Sequence, residues 1–277
     1  MRILHDFDPF LWQIHGNFGI RWYSIPYLLG FLLAFLMLQG AARRGDVENL
    51  DEDGVYSFLI YLILGVLLGA RFFHVFVFEF ANYGFDPLAW IAVWRGGMAF
   101  HGGLVGAAGA TWFFCSRYRV RVYALLDRIA LPTAFALGLG RIANFINGEM
   151  MGTPYSGPFC VDYSQSRYLE DPPEECRHPT QLYEWLKNWL ILGILWIQYR
   201  HVEPRPGTVF WTFVTLYGLI RFWLMYLRDE AVVWAGLTLS QVFSALMFVV
   251  GVGFLAWIHR DRLPGGAGPA AEAEAAG

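Results

Sequence analysis

The sequence has little charge and almost no lysine. Charged residues occupy 16% of its 277 positions, whereas 56% are hydrophobic and 18% aromatic, and the mean hydropathy is +0.40. Soluble domains carry roughly 25% charged and 45–50% apolar residues, so this chain has too few polar groups to cover a water-facing surface. Disorder is excluded as well, because it requires low hydrophobicity and high net charge. The composition therefore predicts an integral membrane protein.

The few cations are nearly all arginine. Twenty residues are Lys or Arg, and Lys187 is the only lysine. The net charge of −3 does not indicate nucleic-acid binding, and we expect no nucleic-acid partner. Arginine keeps its charge in a low-dielectric medium and binds phosphate through two parallel hydrogen bonds, although codon bias is sufficient to explain the excess. The positions of the arginines are therefore more informative than their number.

Long apolar runs occupy most of the chain. A helix needs about 20 residues to cross a hydrocarbon core of ~30 Å. Seven segments qualify: 20–41, 55–78, 98–116, 124–145, 181–199, 208–227 and 237–258. The polar stretch before them lacks the apolar core of a signal peptide, so we expect no cleaved leader. We predict an all-α polytopic membrane protein with seven transmembrane helices in one domain, residues 1–260.

Arginine also predicts the orientation, because short cytoplasmic loops are enriched in Lys and Arg. Nine arginines follow the odd-numbered spans: Arg43, Arg44, Arg117, Arg119, Arg121, Arg200, Arg205, Arg260 and Arg262. They place the N-terminus outside and the C-terminus in the cytoplasm. Residues 146–178 then form a small extracytoplasmic cap, and residues 261–277 form a disordered cytoplasmic tail rich in Gly, Ala, Pro and Glu.

Cysteine is scarce as well, with three residues. Cys160 and Cys176 share the cap, and a disulfide between them suits the oxidising outer side of a bacterial inner membrane; two free thiols are the alternative. No His, Asp or Glu group has metal-ligand spacing on one helix, and no serine lies in an elbow motif. We therefore expect no metal, no cofactor and no Ser-His-Asp catalysis.

Some arginines lie inside the predicted spans, where each costs about 2.5–3.5 kcal/mol at the bilayer centre and is a candidate functional residue. Arg128 has Asp127 beside it near the inner end of the fourth span, and we interpret it as structural. Arg71, Arg141 and Arg221 lie late in the second, fourth and sixth spans, all of which run outward. These three therefore lie in the outer half of the membrane.

Other polar residues are predicted at the same depth. They are Tyr23 and His101 at the start of the first and third spans, Asn144, Asn147, Glu149 and Gly152 at the end of the fourth, and His178 and Glu184 at the start of the fifth. Arginines among amide, hydroxyl and imidazole groups favour an anion, and the abundant anion at this depth is a lipid phosphate. The residues predict a lipid-phosphate site in the outer leaflet, with His101 or His178 as candidate base.

These residues also have structural interpretations. A single His at the end of a span is more often interfacial than catalytic, and Tyr23 can be an aromatic-belt residue. Glu149 can pair with Arg141, and Glu184 can pair with Arg71 or cap a helix. A lipid or anion transporter using the same arginines is a further alternative, but the sequence has no internal repeat that favours it.

One motif resembles a known enzyme family. The run Gly140-Arg141-Ile142-Ala143-Asn144-Phe145-Ile146-Asn147-Gly148-Glu149, followed by Gly152, resembles the signature of the bacterial prolipoprotein diacylglyceryl transferases. Further matching segments are Arg21-Trp22-Tyr23, Gly69-Ala70-Arg71, Gly96 to Gly103, His178 to Glu184, and Arg221. The resemblance covers about residues 6–260, and the family has seven spans with the orientation predicted above.

The resemblance implies transfer of the diacylglyceryl group of phosphatidylglycerol to the lipobox cysteine of a preprolipoprotein signal peptide, in the bacterial inner membrane. A thioether forms and glycerol 1-phosphate leaves, without metal or cofactor, as the first step of lipoprotein maturation. By the resemblance, the residues tied to activity are Tyr23, His101, Arg141, Asn144, Glu149, Gly152 and Arg221. We expect Arg141 and Arg221 to hold the phosphate, Tyr23 to be catalytic and Arg71, Asn147 and His178 to bind substrate. His101 is the expected base, unless a cationic pocket alone ionises the thiol.

The chain departs from the family at one position in the sixth span. The family commonly has Glu four residues after the arginine of this span, where this chain has Met225. Arg221 must then be oriented by another residue, such as Glu149 or Glu184. An inactive, degenerate homologue is the alternative that this departure leaves open.

Overall fold

The computed structural model describes residues 2–15, 18–84, 86–92, 97–201 and 204–262. Nine α-helices lie in these ranges: α1 Ser24–Arg44, α2 Glu52–Phe73, α3 Phe80–Tyr83, α4 Pro87–Ile91, α5 Phe100–Tyr118, α6 Val122–Ile146, α7 Thr180–His201, α8 Thr208–Leu224 and α9 Leu239–Ile258. Gly96 of the third matching segment and residues 263–277 of the predicted tail lie outside the described residues.

The described residues also form three small sheets, which the sequence did not predict. Strands β1 (Ile3–Leu4) and β4 (Val161–Asp162) pair in parallel. Strands β2 (Phe10–His15) and β3 (Phe18–Arg21), and β5 (Val232–Trp234) and β6 (Leu237–Thr238), form antiparallel pairs. Each sheet has two strands, so the architecture is mostly helical, as predicted.

Among the described residues, five helices are long and apolar enough to cross a membrane. They are Ser24–Arg44, Glu52–Phe78, Val122–Ile146, Thr208–Leu227 and Leu239–Ile258, the second and fourth extended by a π-helical and a 3-10 turn. They coincide with five of the seven predicted spans. The other two predicted spans correspond to α5 and α7, which have 19 and 22 residues but are not among the five. The multi-pass class is confirmed, and the count of seven stays a prediction.

Large apolar side chains are exposed along these helices. Leu28 of α1, Val105 of α5, Trp196 of α7 and Val249 of α9 are each more than half exposed. So many exposed large apolar side chains along long helices are unusual for a soluble monomer. It is the surface expected of helices in contact with lipid tails.

The chain divides into two compact units, residues 33–128 and residues 1–32 with 129–277. In the unit 33–128, α2 and α5 pack backbone against backbone: a Cβ on Gly69 would lie 2.5 Å from the carbonyl oxygen of Gly102. Small residues permit this approach in membrane helices. Arg128, interpreted as structural, pairs with Asp46 of the same unit at 3.4 Å.

The segment 146–178 and the N-terminus both belong to the other unit, where they pack against each other. Val161 and Tyr163 of this segment form a buried cluster with Phe145 at the end of α6. The His5 Nε2 lies 2.7 Å from the carbonyl oxygen of Phe145, and burial lowers the pKa of His5, which keeps this imidazole neutral near pH 7. A disulfide joins Cys160 to Cys176.

We expect the disulfide to stabilise this segment. In the chain-entropy account, a loop of about 15 residues contributes roughly 3 kcal/mol, and the two cysteines are 16 residues apart. Reduction, or the double change Cys160→Ser and Cys176→Ser, should lower the Tm in detergent by about 8 °C, at roughly 2–4 °C per kcal/mol. Cys115→Ser serves as the control and should respond to reductant as the wild type does. A wild-type Tm that stays constant after thiol labelling has verified reduction would contradict this expectation.

Candidate active site

Three cations share one buried carboxylate between α6, α7 and α8. Glu184, in the second turn of α7, is only 2% exposed. Its carboxylate lies 3.2 Å from the Nε of Arg141, 3.0 Å from the Nζ of Lys187 and 3.0 Å from the Nη1 of Arg221. We call these four residues the Glu184 cluster. Three positive charges against one negative charge leave a formal excess of two, which favours an anion.

Helical spacing creates these contacts. Glu184 and Lys187 are three residues apart on α7, so they share one face of the helix. On α8, Tyr217 lies one turn before Arg221, whose Nη1 donates to the tyrosine hydroxyl at 3.4 Å. The Nζ of Lys187 lies 3.8 Å from the centroid of the Tyr217 ring, a distance typical of a cation–π contact. Tyr217 therefore supports two of the three cations.

A turn at Gly148 ends α6 and places Glu149 against the last turn of that helix. The Gly148 N–H donates to the carbonyl of Phe145 at 3.0 Å, and the Glu149 N–H donates to that of Asn144 at 2.9 Å. Gly148 has φ +67°, as a Schellman cap requires. The side-chain amides of Asn144 and Asn147 donate to the Glu149 carboxylate at 2.9 and 3.1 Å. Glu149 is thus bound by two amides, whereas Arg141 pairs with Glu184.

The next residues connect α6 to α7. The carbonyl of Glu149 accepts a hydrogen bond from Gln181 at 2.6 Å, and that of Met150 accepts one from the Thr180 hydroxyl at 2.9 Å. The Nη1 of Arg141 lies 2.9 Å from the Met150 sulfur. These contacts hold Met150 beside Arg141 and so help to orient the Arg141 side chain.

Gly152 occupies a position that only glycine fits. Its N–H donates to the His178 carbonyl at 3.2 Å, and the N–H of Thr153 donates to that of Leu227 at 2.9 Å. A Cβ on Gly152 would lie 2.6 Å from the His178 carbonyl oxygen and 2.8 Å from the Leu227 one. The segment is therefore held between the start of α7 and the turn after α8.

Gly152→Ala should consequently displace the chain at the cluster. We expect the enzymatic rate to fall by at least about tenfold, because a displacement of about 1 Å near the reacting groups can lower a rate by about a hundredfold. Gly193→Ala on α7 is the matched control, since nothing lies within 4 Å of its added Cβ. Equal activity of both variants in a purified assay would argue against this constraint.

His178 and Tyr23 lie in the same unit as the cluster. The His178 ring stacks on Tyr155 with centroids 3.8 Å apart, and its Nδ1 lies 3.4 Å from the Tyr183 hydroxyl. Burial lowers the pKa of His178, so the ring is neutral near pH 7. Tyr23 lies in the turn before α1, with its ring centroid 5.6 Å from that of Tyr27. These contacts assign neither residue a role in catalysis.

Arg71 and His101 lie in the unit 33–128. Arg71 is 1% exposed, its Nη1 donates to the Gly97 carbonyl at 3.3 Å, and its guanidinium lies over the Tyr83 ring. His101 is the second residue of α5, with its ring 6.3 Å from that of Phe73. Their predicted roles stay predictions.

A cavity of about 480 Å³ lies beside residue 150. Its lining residues are Gly148, Met150, Met151, Asp171, Pro173, Arg177 and Asp229. Arg177 crosses it, donating to the Gly152 carbonyl at 3.0 Å and to the Asp229 carboxylate at 2.8 Å. Polar and apolar groups are mixed there. In the described residues no group of three His, Cys, Asp or Glu could hold a metal ion.

Sequence reasoning missed Lys187 and Tyr217. The signals were the spacing of Lys187 from Glu184 and of Tyr217 from Arg221, three and four residues, which place each pair on one helix face. Met225, where the resembling family has Glu, is buried in the turn after α8. The carboxylate that orients Arg221 comes instead from Glu184 on α7.

Comparison with known proteins identifies related sequences along nearly the whole chain. The family model described as "Prolipoprotein diacylglyceryl transferase" matches residues 9–257. The relatives described next are among those that carry the name phosphatidylglycerol–prolipoprotein diacylglyceryl transferase. That of Nitrosospira multiformis is 34% identical over 271 residues, covering 95% of this chain and 91% of its own length. Those of Nitrosomonas europaea and Geobacter sulfurreducens are 34% and 32% identical, covering 94% and 92% of this chain and 93% and 97% of their own lengths.

Proposed function

The chain belongs to the prolipoprotein diacylglyceryl transferase family, and on that premise we propose that Arg141 and Arg221 of the Glu184 cluster hold the phosphate of its lipid substrate. The protein is a transferase of lipoprotein biosynthesis, which transfers the diacylglyceryl group of phosphatidylglycerol to a prolipoprotein. The observation that carries the assignment of the site is the formal excess of two positive charges around Glu184. Buried cations aimed at one place bind and stabilise an anion more strongly than they would in water.

The reaction needs these charges at its leaving group. The sulfur of the lipobox cysteine attacks the glyceryl carbon, and a thioether C–S bond forms as the C–O bond to the phosphate breaks. The electron pair of that bond leaves with glycerol 1-phosphate, which gains negative charge. Arg141 and Arg221, with 11% and 17% of their side chains exposed, are the phosphate-binding groups in this proposal. Charge-assisted hydrogen bonds to phosphate are among the strongest that a protein forms.

Neighbouring side chains orient the phosphate-binding arginines and the end of α6. Glu184 orients the two arginines, and Asn144 and Asn147 hold Glu149 at the end of α6. We propose His101 as the base that takes the thiol proton. Ionising a thiol of pKa about 8.5 requires roughly 2 kcal/mol at pH 7, so a cationic pocket can replace a dedicated base. Tyr23, Gly152, Arg71 and His178 keep the roles that the sequence predicts for them.

We also propose seven spans with the N-terminus outside, in the inner membrane of a bacterium. Helices α5 and α7 supply the third and fifth of these spans, since about 28–33 Å of helix is enough to cross the hydrocarbon core. The cluster lies near the end of α6, the start of α7 and the end of α8, and the segment 146–178 lies at the same end. With this segment outside, the cluster lies at the depth of outer-leaflet phosphates.

The function is tested with purified protein, labelled phosphatidylglycerol and a lipobox peptide. We expect one thioether and one glycerol phosphate per turnover, and no product from a matched peptide with serine in place of cysteine. Phosphatidylethanolamine is the lipid control. No thioether with the cysteine peptide would refute the proposal, and lipid or anion flux across liposomes without chemical turnover would favour a transporter instead.

A further inference from the structure

Lys187 is the only lysine of the chain, and its charge is buried. The side chain is 1% exposed and lies on α7, which we propose spans the membrane. The Nζ lies between the Glu184 Oε2, at 3.0 Å, and the face of the Tyr217 ring, at 3.8 Å from its centroid. A buried ammonium is strongly unfavourable unless it is paired, and here two groups pair with it.

The position of Lys187 excludes direct contact with a lipid headgroup, because its ammonium is covered on both sides. It does contact the carboxylate atom that the arginines also use. The Glu184 Oε2 lies 3.0 Å from the Lys187 Nζ, 3.2 Å from the Arg141 Nε and 3.3 Å from the Arg221 Nη1. Lys187 therefore competes with both arginines for one negative charge.

That competition has a consequence for anion binding. Without Lys187, one carboxylate would face two arginines, and the formal excess of the cluster would fall from two positive charges to one. Glu184 would also attract both guanidinium groups more strongly, away from an incoming anion. With Lys187 present, part of the Glu184 charge is neutralised by a group that cannot reach the substrate.

We propose that Lys187 is a positioning residue that neutralises Glu184, so that Arg141 and Arg221 keep their charge for an anionic lipid headgroup. The inference rests on the proposed function and adds a determinant of lipid affinity to it. Lys187 sets how tightly the site binds phosphatidylglycerol and its anionic product, so its loss should raise KM and Ki more than it lowers kcat.

The test compares purified wild type, Lys187→Met, Lys187→Arg and Arg167→Gln in the thioether assay. Lys187→Met removes the charge at nearly constant volume and leaves Glu184 paired with two arginines, so the variant should fold. Lys187→Arg restores the charge. Arg167→Gln removes one exposed charge that pairs with Asp6, so it controls for net charge. The measurements are KM for phosphatidylglycerol, Ki for glycerol 1-phosphate, kcat and Tm.

For Lys187→Met we expect KM and Ki to rise by at least about tenfold, because removing one unit charge from the cluster weakens its attraction for an anion by at least this factor. The kcat should stay within about threefold of the wild-type value. Lys187→Arg should recover most of the affinity if its Tm matches the wild type, and Arg167→Gln should behave as wild type. An unchanged Ki in Lys187→Met, whether kcat and Tm fall or not, would overturn the inference. Absence of product from the wild type would refute the proposed function itself, before any variant is compared.

Discussion

Replacing Arg141 by methionine should reduce the rate of thioether formation by about a thousandfold. Arg141 is proposed to hold the phosphate that leaves with negative charge, and methionine offers neither charge nor hydrogen-bond donors. Glu184 would keep Lys187 and Arg221 as partners, so the fold should survive. Arg141→Lys should be intermediate, since lysine keeps the charge but loses the two parallel donors. Single-turnover rates with labelled phosphatidylglycerol measure the effect.

Arg205→Met is the matched control for this experiment. Arg205 pairs with Asp261 and lies before the start of α8. The first residue of α8 is itself about 20 Å along the helix from Arg221. Like Arg141→Met, Arg205→Met removes one paired arginine from this unit. We expect it to retain most activity. A rate for Arg141→Met within tenfold of the wild type, at unchanged Tm, would contradict the assignment of the phosphate site.

Replacing Glu184 by methionine should destabilise the protein more than any other single change in the cluster. Removal leaves Arg141, Lys187 and Arg221 without their shared carboxylate, and breaking a buried ion pair in this way costs about 3–5 kcal/mol. We expect the Tm in detergent to fall by about 10 °C, given the usual shift per kcal/mol for chains of this size. Transfer should fail as well, because the arginines lose their orientation.

A second substitution distinguishes charge imbalance from lost packing. Glu184→Met combined with Lys187→Met removes one of the three unpaired cations, so its Tm should lie above that of Glu184→Met alone. Glu184→Gln keeps the shape of the side chain and should lie between Glu184→Met and the wild type. Were the Tm of Glu184→Met equal to that of the wild type, Glu184 could not be what balances these cations.

The sequence predicts which residues form the site better than it predicts which of them pair with each other. Arg141 and Arg221 are identifiable because arginine inside a span is costly, and Glu184 because it opens a span at the same depth. Their partners depend on the rotation of α6, α7 and α8 about their axes, which periodicity does not determine. Glu149 shows the difference, because it is near Arg141 in sequence but is bound by Asn144 and Asn147.

Local signals were informative where a single residue determines the backbone. Gly148 ends α6 with the positive φ that glycine adopts readily, and the turn it forms places Glu149. Strand β6 before α9 gave no comparable signal, because Leu237 and Thr238 lead directly into the helix and fall within the predicted span 237–258.

Lipid binding, separated from turnover, tests the central claim most directly. Phosphatidylglycerol binding to purified protein is measured for the wild type, for the double variant Arg141→Met and Arg221→Met, and for Arg205→Met. The account predicts that the double variant binds at least about a hundredfold more weakly, while Arg205→Met binds as the wild type does. Equal binding by all three proteins would show that the Glu184 cluster does not hold the phosphate.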